Sequence, residues 1–163
     1  MRTKWKIVEN LHFLTELVSY HKSLGRKVVV TNGCVDIMHI GHVHCLESAR
    51  SNGDVLIVGI NSDRSTRAIK GDKRPIIPEQ QRMEMVASLL CVDHVILFDE
   101  NTPYVLIYAI QPDILVKGGD WEKEEIIGSD IVKGNGGKVV CINFEVEMSS
   151  SSVIKTIIER YKE

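Results

Sequence analysis

The chain has 163 residues, 44% hydrophobic and 26% charged. That suits one compact domain over residues 1–163 and excludes fibrous and disordered architectures. Its 20 basic and 22 acidic residues leave a formal net charge of -2, so no general attraction draws it to polyanions, and neither nucleic acid nor membrane is an expected partner. Cys34, Cys45, Cys91 and Cys141 form no C-x-x-C pair, the N-terminus lacks a secretory pattern, and no apolar run reaches membrane-spanning length. Reduced thiols in a cytoplasmic protein are the expectation.

From Glu9 to Gly25 the residues Leu11, Leu14, Leu17, Val18 and Leu24 recur at three and four positions, which predicts an amphipathic helix ended by Gly25. Val28-Val29-Val30 then reads as a buried strand running into the turn Thr31-Asn32-Gly33, and Gly41 to Asn52 as a helix closed by Gly53. Val55 to Ile60 is a second strand, Pro78 to Leu90 a helix, and Val95 to Phe98 a third strand. Thr102 and Pro103 open another helix. Ile114 to Val116 and Val139 to Ile142 complete five strands, and Val153 to Tyr161 forms a closing helix behind Ser149 to Ser152. Strands alternating with helices predict an α/β, Rossmann-like, doubly wound parallel five-stranded sheet with helices on both faces.

Ligands of such sheets bind beyond the carboxyl ends of the strands. This rule selects the segments Thr31 to Gly41, Asn61 to Pro78, Lys117 to Gly128 and Asn143 to Ser152. In the first, His39-Ile40-Gly41-His42 stands at the start of a helix, whose free N–H groups suit an anionic phosphate. Gly41 leaves room for a ligand's close approach, and two imidazoles three residues apart can donate to one phosphate. The same histidines with His44 and Cys34 or Cys45 are also a candidate metal set, although no second ligand pair closes it. The Ser149–Ser152 run offers a cap and further hydroxyls for a second anion. Lys70-Gly71-Asp72-Lys73-Arg74, with Arg82 on the next helix, could close over a polyphosphate. Lys117-Gly118-Gly119-Asp120-Trp121 combines backbone freedom, a carboxylate and an indole at the binding edge. No Walker loop or dinucleotide fingerprint is present, which removes kinase and hydride-transfer readings.

Thr31-Asn32-Gly33-Cys34-Val35-Asp36 running into His39-Ile40-Gly41-His42, with the late serines, resembles the HxGH nucleotidylyltransferases. The ordered strings TNGC-x-D, G-x-NSD-x-ST, KG-x-x-RP, EQ-x-R, TP, PD-x-LVKGGD and NGG resemble one branch, the adenylyltransferase domain of the bifunctional ADP-heptose synthases. The resemblance implies AMP transfer from ATP, with Mg²⁺, to D-glycero-D-manno-heptose 1-phosphate, giving ADP-heptose and pyrophosphate. It implies catalytic roles for His39, His42 and Lys70. Nucleotide and phosphate binding would fall to Asn32, Gly33, Cys34, Asp36, Gly41, Arg82, Lys117, Gly118, Gly119, Asp120, Ser150, Ser151 and Ser152. Asp63, Arg74 and Trp121 would meet the sugar phosphate. No protein side chain is expected to hold a metal by itself, since Mg²⁺ would ride on the nucleotide phosphates. A homodimer, and a separate heptose kinase and phosphatase in the same pathway, are the partners the resemblance allows. Val35 replaces a frequent aromatic residue, and Glu147-Met148 stands where glycerol-3-phosphate cytidylyltransferases carry an arginine, which argues against cytidine. The alternatives are a cytidylyltransferase acting on glycerol 3-phosphate or a similar alcohol phosphate, and a non-catalytic nucleotide-binding regulator.

Overall fold

The computed structural model describes residues 3–119, 125–143 and 148–162. Asp120, Trp121 and Glu147, singled out in the sequence, lie outside them. Strands β1 (Ile7–Val8), β2 (Val28–Gly33), β3 (Val55–Asn61), β4 (His94–Phe98), β5 (Ile114–Gly118) and β6 (Lys138–Ile142) form one sheet in the order β1-β4-β3-β2-β5-β6. Every pairing is parallel. The helices are α1 (Leu11–Ser23), α2 (Ile40–Arg50), α3 (Asp63–Lys70), α4 (Glu79–Ser88), α5 (Tyr104–Ile110), α6 (Ser129–Gly134) and α7 (Ser150–Tyr161).

The doubly wound parallel architecture agrees with the sequence reading, while the sheet has six strands rather than five. The added strand, β1, has two residues and exists by pairing Ile7 and Val8 with Val95 and Ile96. Helix α3 occupies a segment that reads as a loop, and α6 one to which the sequence reading assigned no element. Ser62 caps α3 by accepting from the Ser65 N–H, but the buried residues of this helix are Ser65 and Thr66, so it carries no apolar stripe.

Both faces of the sheet are covered. Val28, Val30, Val55 and Ile57 face a cluster with Leu14 and Val18 of α1 and Leu106, Ile107 and Ile110 of α5. Their neighbours Val29, Leu56 and Val58 face the opposite cluster, with Leu46 and Ala49 of α2 and Val86 and Ala87 of α4. Alternation along a strand places successive side chains on opposite faces, so a continuously apolar run is what a sheet covered twice requires. Each such side chain contributes about 1.5–3 kcal/mol by leaving water.

At the amino ends of the strands three carboxylates accept backbone N–H groups: Asp54 from Lys27, Asp113 from Val28 and Asp93 from Leu56. At the carboxyl ends, β2 lies between β3 and β5, and the chain reverses its direction of travel across the sheet there. That reversal opens a crevice above β2.

Candidate active site

Beyond Gly33 the chain turns sharply into α2. Val35 adopts a left-handed conformation with φ 44°, costly for a β-branched residue. Its neighbours hold it there. The Cys34 carbonyl accepts from the Arg82 guanidinium. Asp36, only 1% exposed, accepts from the N–H groups of Ile76 at 2.8 Å and Ile77 at 2.9 Å and pairs with Arg74. One buried carboxylate thus fastens the segment between α3 and α4 to the turn after β2.

His39 is the N-cap of α2, in extended conformation. Its ring lies against that of His42, with centroids 3.9 Å apart and planes tilted by 42°. The His39 N–H donates to His42 Nδ1 at 3.3 Å. Burial, followed by the neighbouring His39, pulls the His42 pKa from 6.5 down to about 4. The ring is therefore neutral near pH 7, and with Nδ1 acting as acceptor its proton sits on Nε2. Burial also lowers the His39 pKa. Gly41 permits this stacking, because a Cβ there would stand 3.1 Å from Cε1 and Nδ1 of His39. The N–H groups of Ile40 and Gly41 have no acceptor among the described residues, as expected of a helix start that faces an anion.

A second helix start meets the first. Ser150 Oγ accepts from the Ile37 N–H at 3.2 Å and donates to the Ile37 carbonyl at 3.0 Å, a link across 113 residues of sequence. Ser149 and Ser152 cap α7 reciprocally. Of the run, Ser151 turns to Arg74, which donates to its hydroxyl at 3.4 Å. Lys70 and Lys117 add positive charge. Burial lowers the Lys117 pKa, an effect that the Cys34 and Cys45 thiols oppose and that Lys70 reinforces.

These groups surround a cleft of about 570 Å³. Asn32, Gly33, Cys34 and Asp36 line its floor, with His39, His42 and Lys70. Arg74, Lys117, Gly118, Ser150 and Ser151 complete the predicted residues found there. Gly41, buried against the His39 ring, does not itself line the cleft, and four others are placed differently. Arg82, expected at the phosphates, is fully buried and engaged with protein carbonyls. Asp63, expected at the sugar phosphate, pairs with Arg82 at 2.7 Å. Gly119 donates its N–H to the Ile142 carbonyl at 2.9 Å, continuing the sheet beyond β5. Ser152 has its hydroxyl in the α7 cap. The sequence reading assigned no binding role to Asn61, Ile127 or Asn101-Thr102-Pro103, and considered Cys45 only as a metal ligand, yet all of them line the cleft. Asn61 ends a buried strand, a position that could have marked it.

A cleft at the switch point, with stacked imidazoles at a helix start, is an arrangement that suits a nucleotidyltransferase. Residues 30–156 match the cytidylyltransferase-like family model. The chain belongs to that family. It is 47% identical over 154 residues to the bifunctional protein HldE of Trichlorobacter lovleyi, covering 94% of this chain and 31% of that protein. With HldE of Wolinella succinogenes the identity is 49% over 144 residues, covering 88% of this chain and 30% of the relative. The chain thus spans about a third of the length of these relatives. A lipopolysaccharide core biosynthesis protein from Thermoplasma volcanium superposes with a TM-score of 0.60 at 27% identity, over 76% of this chain and all of the other. Pantoate-beta-alanine ligase from Francisella tularensis shares the fold, with a TM-score of 0.60 at 18% identity over 94% of this chain and 77% of its own. No described helix is long and apolar enough to cross a membrane.

Proposed function

We propose that this nucleotidyltransferase moves AMP from ATP to D-glycero-D-manno-heptose 1-phosphate, giving ADP-heptose and pyrophosphate. The observation that carries the chemistry is the neutral, tautomer-fixed His42 stacked on His39 at the start of α2. The likeness to the HldE proteins along most of this chain supports the choice of acceptor. Such an acceptor requires a kinase, and a phosphatase where a bisphosphate precedes it, in the cytoplasm that supplies ATP.

A sugar phosphate has a second pKa of about 6, so near neutral pH it is a dianion that attacks without a general base. Its oxygen forms the new bond to the α-phosphorus as the bond to the β-phosphate oxygen breaks in line. Negative charge grows on the equatorial oxygens, where His42 Nε2–H and the N–H groups of Ile40 and Gly41 would donate. Lys70, Lys117, Arg74 and Ser151 would hold the departing pyrophosphate. Among the described residues no cluster of three His, Cys, Asp or Glu side chains could hold an ion, and Asp36 is already engaged. In this reading the nucleotide substrate is MgATP, with the ion on its own phosphates.

Pyrophosphate release, measured with ATP and CTP against heptose 1-phosphate and glycerol 3-phosphate, tests the reading. Preference for CTP would replace the adenylyl assignment, and silence with every acceptor would leave a nucleotide-binding regulator. His42→Ala should retain the fold and lower kcat about 10²–10³-fold, the usual cost of one transition-state donor. An unchanged kcat refutes the role of the pair.

A further inference from the structure

We propose that Arg82 is a positioning residue whose buried guanidinium fixes the spacing of three segments at the cleft floor, holding the turn that leads to His39. This rests on the transferase reading above. Arg82 sits in the first turns of α4 and is 0% exposed. Its Nε donates to the Ile77 carbonyl at 2.9 Å, Nη1 to the Cys34 carbonyl, and Nη2 to the Asn61 carbonyl at 2.8 Å and to Asp63 at 2.7 Å. Those carbonyls belong to the segment before α4, the turn after β2 and the end of β3, which have no covalent reason to keep a common geometry.

A guanidinium presents its donors in one rigid plane, so it sets mutual distances as an ammonium on a flexible stem does not. Two of the gripped residues, Cys34 and Asn61, line the cleft, and their side chains meet, with Cys34 Sγ 3.8 Å from Asn61 Oδ1. The Cys34 carbonyl also immediately precedes Val35, whose φ of 44° must be imposed from outside. Arg82 holds one side of that residue and the Asp36 contacts hold the other. His39 follows three residues after Asp36. Loss of the fork therefore shifts the imidazole pair relative to Ser151 and Arg74 and removes no phosphate ligand. Its signature is a fall in kcat with little change in KM.

The test uses the whole chain with Arg82→Lys and Arg82→Ala. Arg82→Lys should lower kcat for pyrophosphate release about 10–100-fold, as expected for sub-ångström misplacement of reacting groups, while KM for the triphosphate stays within about threefold. Cys34, mapped by mass spectrometry, should react with iodoacetamide about tenfold faster once its backbone is released. Guanidinium ion at low concentration should restore part of the kcat of Arg82→Ala, and ethylammonium should not. A raised KM with retained kcat would make Arg82 a direct phosphate ligand and overturn the proposal. Wild-type kcat, KM and Cys34 reactivity would overturn it as well. Should both Arg82 variants fail to fold, Asp63→Asn keeps the three carbonyl bonds and should move kcat and Cys34 reactivity the same way by smaller factors; no movement there counts against the proposal. If the wild-type chain releases no pyrophosphate, the transferase reading fails, while Cys34 reactivity still decides whether Arg82 holds the turn.

Discussion

Replacing Gly41 with alanine separates what stabilises α2 from what orders its histidines. A Cβ at this buried position would meet Cε1 and Nδ1 of His39 at 3.1 Å, so the ring must retreat by a few tenths of an ångström. The centroid distance of 3.9 Å to His42 would change with it. Misplacing a reacting group by about 1 Å costs about 10²-fold in rate, so this displacement should lower kcat about 3–10-fold. Alanine, in contrast, favours the helix over glycine by about 1 kcal/mol, which raises Tm by about 2–4 °C in a chain of this size if the ring retreats without further strain. Pyrophosphate release and a thermal melt on the same preparation give both numbers, and the His39 ring resonances report the displacement. An unchanged kcat alongside displaced resonances would show that the ring spacing does not govern the chemistry. A fall in Tm together with kcat would mean that the helix, and not the ring alone, had been disturbed.

The serines should divide by role. Ser151→Ala raises the KM for triphosphate with little loss of stability, whereas Ser152→Ala costs about 1 kcal/mol through the α7 cap and leaves KM alone; kinetics and urea unfolding distinguish them. Asp36→Ala strands Arg74 and two backbone N–H groups, and should cost about 3–5 kcal/mol in urea unfolding, since the Asp36 side chain is 0% exposed. In an NMR titration His42 should protonate near pH 4 rather than near its ordinary 6.5. Because the unfolded chain binds that proton first, the contribution of His42 to stability is present above pH 6.5 and is lost as pH falls towards 4. A His42 midpoint near 6.5 would contradict the burial assigned to the ring.

Strands β2 to β6 were legible because each is a short apolar run between polar turns, and strands buried on both faces cannot look otherwise. Strand β1 was not, since two residues carry no period and depend on β4 for their conformation. Helix α3 hid behind its buried Ser65 and Thr66. In the site, His39-Ile40-Gly41-His42 was visible as a string, and its place after a strand supplied the context. Arg82 was misread as a phosphate ligand because a sequence shows a charge without its direction. The missed signal is its spacing of four from Val86, which puts both residues on the buried face of α4. The serine run likewise showed four hydroxyls without revealing that three serve as structural ties.

The tie between Ser150 and Ile37 also orders events during synthesis. A ribosome delivers all six strands before it reaches Ser149, so the sheet can form while the crevice above β2 still lacks its last wall. Binding competence therefore waits on α7, and a nascent chain interrupted short of that helix would hold the framework of the crevice without one of its two helix starts.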